Sequence, residues 1–185
     1  MKKGNIFIIT GTSGSGKTVI SEYILKHRQN TVRAVSVTTR QPRPNEIDKM
    51  DYFFVSQEEF QNMIKENKLI EYANVYGNLY GTTIESFNKI NENKDVVKVI
   101  DVQGALKIKE LNIKHTSFFF HPLDRALLIK RLEERKELDI NKRIVESDKE
   151  LKHKNKFDYF IDTSGDESAI EKNALKVIEI MNSIK

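Results

Sequence analysis

Gly11-Thr12-Ser13-Gly14-Ser15-Gly16-Lys17-Thr18 lies between an apolar run, Ile6-Phe7-Ile8-Ile9, and the segment Val19 to His27. In that second segment Val19, Ile20, Tyr23 and Ile24 recur at helical spacing, which marks a core-facing stripe. The succession reads as strand, glycine-rich turn and helix, the arrangement of a P-loop. Glycines let consecutive backbone N–H groups turn inward around an anion, and the helix N-terminus behind them adds roughly half an elementary positive charge. In such a loop Lys17 reaches the β- and γ-phosphates of a nucleoside triphosphate, and the Thr18 hydroxyl is placed to ligate Mg²⁺. Residues Gly11 to Thr18 are therefore the candidate ATP-binding loop.

Working outward, 185 residues suffice for one well-buried domain with mobile lobes inserted in it. Cysteine is absent, which excludes disulfides and thiolate metal sites. The apolar stretch after Met1-Lys2-Lys3 is too short for a secretion signal, and no run approaches membrane-spanning length, so a cytoplasmic protein without membrane partners is expected. The formal charge is +4, and residues 125–156 alone carry eleven Lys/Arg against seven Asp/Glu, so the whole excess sits there. That is a local cationic surface. A nucleic-acid partner would call for a broader basic stripe with interleaved aromatics.

Along the chain, residues 5–10 read as a buried parallel strand. Val32 to Val37 reads as one further strand, and the prolines of Gln41-Pro42-Arg43-Pro44 extend the loop after it. Tyr52 to Val55 and Leu69 to Tyr76 are strand-like. Ser56 with Glu59 forms a capping box for a helix to about Glu66, Gly77 to Gly81 reads as a turn, and Thr82 with Glu85 as another cap. Asp95 to Asp101 is an apolar strand with an acid at its C-terminal end, where ligands bind in open α/β sheets. Thr116 to Phe120 and Phe157 to Ile161 are further strands. Leu123 to Lys136, Ile140 to His153 and Ser168 to Ile184 are helices. Strands alternating with helices predict a parallel sheet covered on both faces.

Four segments identify the acceptor side. Ser36-Val37-Thr38-Thr39-Arg40-Gln41-Pro42-Arg43-Pro44, Asp51-Tyr52-Phe53-Phe54-Val55, Glu71-Tyr72-Ala73 and Gly77-Asn78-Leu79-Tyr80-Gly81-Thr82 resemble, in order and spacing, the acceptor-binding segments of guanylate kinase. The similarity covers nearly the whole chain. It implies an α/β P-loop nucleoside monophosphate kinase fold: a central parallel sheet flanked by helices, an inserted GMP-binding lobe and a short lid. Residues 1–185 would be a single domain, with a core of 1–32, 92–124 and 155–185, a lobe of 33–91 and a lid region of 125–154.

The resemblance further implies that the chain phosphorylates GMP, and dGMP, to GDP at the expense of ATP, with Mg²⁺, and that its partners are these small molecules. Arg40, Arg43, Tyr52 and Tyr80 would hold the GMP phosphate, Ser36, Glu71 and Thr82 would read the guanine, and Asp101 would complete the GMP site. Lys17 and the lid-type arginines Arg131, Arg135 and Arg143 would be catalytic. These roles are physically coherent. Guanidinium forks suit the anionic oxygens of a monophosphate. One carboxylate accepts from both guanine N1–H and the exocyclic amine, whereas adenine presents an acceptor at N1. Arginines on a closing segment neutralise charge on a transferring phosphoryl group.

Three positions depart from the family pattern. Its Asp-x-Asp appears as Val99-Ile100-Asp101, the link from Arg135 to Arg143 is short with Lys136 where glycine is common, and Thr163-Ser164-Gly165 replaces Asn-Asp-Asp. Two other readings stay open at this point: a P-loop kinase for another phosphate ester such as ribose 1,5-bisphosphate, favoured by Val99, and a non-catalytic interaction module, disfavoured by an intact Gly16-Lys17-Thr18.

Overall fold

The structure is a computed structural model that describes residues 3–44, 46–75, 77–135 and 139–184. Five parallel strands form the central sheet: β1 (Ile6–Gly11), β2 (Thr31–Arg33), β7 (Asp95–Val99), β8 (Thr116–His121) and β9 (Tyr159–Asp162), in the order β2-β7-β1-β8-β9. Both faces are covered, so β1 is buried throughout. Strand alternation divides it: Ile6 and Ile8 join one core cluster, Phe7 and Ile9 the other. Helix α4 (Val102–Glu110) packs Val102, Ala105 and Ile108 into the first cluster. Helices α1 (Lys17–His27) and α7 (Glu167–Ser183) pack Ile20, Ile24, Ala174, Val177 and Met181 into the second.

A second, four-stranded sheet is built from β3 (Ser36–Thr38), β4 (Tyr52–Phe54), β5 (Leu69–Val75) and β6 (Asn78–Thr83), in the order β4-β3-β6-β5. Helix α2 (Gln57–Lys65) starts at the expected capping box, with Ser56 Oγ accepting from Glu59 N–H and Glu59 Oε2 from Ser56 N–H. A short helix, α3 (Ile84–Phe87), and a 3₁₀ turn at Asn88–Glu92 return the chain to the central sheet. Helices α5 (Arg125–Glu134) and α6 (Ile140–Leu151) follow β8, capped by Asp124 and Asp139. Among the described residues no helix is long and apolar enough to cross a membrane.

Four local readings change. The run Val32 to Val37 is two strands: Ala34 N–H still donates to Val97 O, after which the chain leaves one sheet for the other. Gly77 to Gly81 is a turn only at its start. Gly77 has φ 84°, whereas Gly81 lies within β6, where a Cβ would stand 3.1 Å from both Phe60 Cζ and Leu69 Cδ1. The next cap is Thr83, accepting from Ser86 N–H, because Thr82 is a buried strand residue. Finally, Asp101 ends no strand; its Oδ1 accepts from Gly104 N–H at 2.9 Å and caps α4, a helix the strand reading passed over. The expected features at Tyr76, at Lys136 and at residues 137–138 of the Arg135–Arg143 link fall outside the described residues.

Candidate functional site

The loop Gly11–Gly16 is set by backbone conformations that favour glycine: φ is 140° at Gly11, 77° at Gly14 and 79° at Gly16. At Gly11 a Cβ would overlap Phe120 O at 2.0 Å, so the loop lies directly on β8. Thr12 N–H donates to Phe120 O at 3.2 Å, and Thr12 Oγ1 lies 2.9 Å from His121 Nδ1. Burial pushes His121 below its ordinary pKa, against the pull of Asp148 and Asp162.

Lys17 Nζ turns back over the loop and donates to Gly11 O at 2.8 Å and Thr12 O at 2.7 Å. Enclosure of the ammonium lowers its pKa to about 8, Glu150 opposes that fall, Arg135 adds to it and Asp101 opposes it. The loop is thus a cradle of N–H donors with one cation folded into it.

On the opposite wall, Arg40 is held by several partners. Its Nε donates to Tyr80 Oη at 3.1 Å, its Nη1 to Gln41 O at 2.7 Å, and its Nη2 to both Glu46 oxygens at 2.8 and 2.9 Å. The guanidinium lies 5.3 Å from the Tyr52 ring centroid, and Tyr52 meets Tyr80 edge-on at 6.0 Å. Arg43 donates its backbone N–H to Glu46 Oε2 at 2.7 Å, so Glu46 organises both arginine positions.

Glu71 pairs in register with Thr82 and is 5 % exposed. Burial pushes its carboxyl above the ordinary range, against the pull of Thr82 and of the Lys98 cation, while Asp101 adds to the rise. Thr82 Oγ1, fully buried beside it, meets no partner at hydrogen-bonding geometry. A Cβ at Gly104 would stand 2.9 Å from Glu71 Oε2, so the bare α4 backbone is what admits the carboxylate.

One cavity of about 240 Å³ joins these walls. It brings together Gly11, Ser13 to Thr18, Ser36, Arg40, Arg43, Tyr52, Glu71, Tyr80, Asp101, Arg135 and Arg143, with Val99 and Glu150 also lining it. Thr12 and Thr82 stand behind its walls. Arg131 faces a neighbouring cavity of about 220 Å³ on the other side of the loop, with Arg135, Thr163 and Asn173. Its Nη2 donates to Gly165 O at 3.3 Å. Chemically, the main cavity brings together glycine-loop N–H groups with Lys17, an arginine–tyrosine group that could hold an anion, and a buried acid.

Residue-by-residue reading missed Glu46, Lys98, His121 and Glu150. Lys98 carried a signal, a lone charge inside an otherwise apolar strand. Glu150, pushed up to about 7 by burial against the pull of Lys17, looked like any other charge on a mixed helix face.

Comparison with known proteins places the chain in a family. The guanylate kinase family model matches residues 3–183. The guanylate kinase of Thermotoga maritima is 42% identical over 174 residues, covering 91% of this chain and 84% of that protein. That of Malacoplasma penetrans is 40% identical over 180 residues, covering 92% and 91%. The crystal structure of guanylate kinase from Anaplasma phagocytophilum superposes with a TM-score of 0.80 at 28% identity, covering 100% of this chain and 89% of that one. Shikimate kinase from Acinetobacter baumannii, at 13% identity and a TM-score of 0.53, shares the fold alone.

Proposed function

This chain belongs to the guanylate kinase family, and on that premise we propose that it transfers the γ-phosphoryl group of ATP to GMP, forming ADP and GDP. The observation that carries the reading is the single cavity running from the Gly11–Thr18 loop to Arg40 and Glu71.

In this reading the loop N–H groups and Lys17 hold the β- and γ-phosphates, with Arg40, Arg43, Tyr52 and Tyr80 on the GMP phosphate. Glu71 accepts from guanine N1–H and the exocyclic amine, while Ser36 donates toward O6; Thr82, expected to join it, lies behind the cavity wall next to Glu71. An oxygen of the GMP phosphate attacks the γ-phosphorus, the bond to the β–γ bridging oxygen breaks, and that oxygen leaves on ADP. No general base is required, because a phosphate monoester loses its second proton near about pH 6. Lys17, Arg135 and Arg143 neutralise the charge that develops, and Arg131 supports them from the neighbouring cavity.

Mg²⁺, when bound, would be held on the protein side by the Thr18 hydroxyl and would draw off negative charge from the phosphates. The residues present fit it: Thr18, the expected ligand, lines the cavity next to Lys17. The division into a core, a GMP-binding lobe at 33–91 and a lid region at 125–154 is part of the proposal, as is a cytoplasmic setting with a ready ATP pool.

A coupled assay offering ATP, Mg²⁺ and each nucleoside monophosphate tests the reading. ADP release with GMP, and less with dGMP, supports it, and absence of turnover with GMP overturns it. Glu71→Gln is expected to raise KM for GMP and narrow its advantage over AMP.

A further inference from the structure

Lys98 is 0% exposed, in the middle of β7, a strand otherwise built to be buried. Lysines are almost never fully buried without a partner. Its ammonium is satisfied in a particular way: Nζ donates to Ser36 Oγ at 2.7 Å and, at 3.4 Å, to Ala34 O. Two acids, Glu71 and Asp101, lie within electrostatic reach. Lys98 itself does not line the cavity, whereas Ser36, Glu71 and Asp101 all do. A cation stands immediately behind the wall on which the purine base is placed, and touches it through one hydroxyl.

We infer that Lys98 is a positioning residue for purine discrimination: it fixes the Ser36 hydroxyl as a donor to the base and keeps Glu71 an acceptor. This rests on the guanylate kinase reading above.

The chemistry follows from the donor inventory. An ammonium has three donors and no acceptor, so Ser36 Oγ can only accept from it. That accepted, charge-assisted bond draws electron density from Oγ, making the Ser36 O–H a stronger donor and its remaining lone pair a weaker acceptor. A ligand carbonyl such as guanine O6 is favoured by such a hydroxyl; an exocyclic amine such as adenine N6 is not. The same cation favours the ionised form of Glu71, which burial otherwise penalises. One lysine therefore biases two reading groups in opposite senses, one toward donating and one toward accepting, which matches the O6 and N1–H edge of guanine. A merely structural lysine would need neither Ser36 nor a place behind the base-reading wall.

The test is a double-mutant cycle on Lys98→Met and Ser36→Ala, with KM for GMP, AMP and ATP measured for each protein. Expected are a rise of about tenfold in KM for GMP in Lys98→Met, an unchanged KM for ATP, and a narrowed preference for GMP over AMP. Ser36→Ala should raise KM for GMP about tenfold in the parent but less than twofold in Lys98→Met, since the hydroxyl is no longer oriented there. Additive effects, or equal changes for GMP and AMP, would overturn the inference. If Lys98→Met does not fold, the cycle is run on Lys98→Leu, which likewise removes both the donor to Ser36 and the charge, with the same outcomes deciding. Absence of GMP turnover in the parent would instead sink the guanylate kinase reading, so the two failures are distinguishable.

Discussion

Arg40 Nη2 lies 2.8 and 2.9 Å from the two carboxylate oxygens of Glu46, and one of those oxygens also accepts from Arg43 N–H at 2.7 Å. A carboxylate thus sits in the middle of an anion site. Burial opposes its ionisation, but the bonds from Arg40 and Arg43 outweigh this and hold Glu46 below the ordinary carboxylate range. We propose that it fixes the loop so that Arg40 and Arg43 are held in place at the cavity. Glu46→Ala is expected to raise KM for GMP about tenfold with KM for ATP unchanged, on the scale of a charge-assisted hydrogen bond. A fall in KM for GMP would show instead that Glu46 competes with the phosphate.

Lys17 is enclosed by the loop it serves, donating to Gly11 O and Thr12 O. Lys17→Met should lower turnover by about 10³-fold or more, because a cation on the transferring phosphoryl group is lost. GMP affinity by calorimetry should stay within a few-fold, since the acceptor wall is formed by β3 to β6. Loss of GMP binding would mean that the two ends of the cavity are not separable.

Glu150 titrates near 7 in the folded chain against an ordinary 4.5, chiefly from burial. Between those values the folded state binds more protons than the unfolded one, so stability falls as pH rises through this window. Glu150→Gln removes that penalty. The variant should melt above the parent at pH 7.5, and the difference should shrink toward zero by about pH 4.5. A difference independent of pH would refute the assignment.

At Gly104 a Cβ would meet Ile100 Cδ1 at 2.5 Å and Glu71 Oε2 at 2.9 Å. Gly104→Ala is expected to destabilise the protein by about 1–3 kcal/mol, the usual scale of overpacking. It should also raise KM for GMP, because the atom displaced is the acceptor carboxylate. Chemical denaturation and steady-state kinetics read the two effects separately, and unchanged kinetics would place Glu71 outside the base site.

What could be read from the chain alone depended on whether a residue's role is local. β1, the loop and most of α1 were legible because glycine conformations, burial on both faces and helical spacing are properties of adjacent residues, although Val19 of the expected stripe is exposed. The Ser56 capping box was legible for the same reason. The break after Ala34 was not, since Thr31–Arg33 and Ser36–Thr38 have the same β-branched character and differ only in the sheet they join. Helix α4 was passed over although Asp101, Val102, Ala105 and Ile108 give a cap and a stripe, because the acid drew a site reading first. Lys98 and Glu150 acquire meaning only from Ser36 and Lys17, which are distant in sequence.

The strand order has a consequence for biosynthesis. β1 is made first, yet it sits between β7 and β8, which are made after the whole second sheet. The loop that follows β1 leans on Phe120 and His121. A nascent chain ending before His121 therefore has the glycine-rich stretch but lacks the β8 backbone against which it is shaped. β1 must wait for β8 before the glycine-rich loop can take its final shape, a pairing that spans more than a hundred residues of sequence.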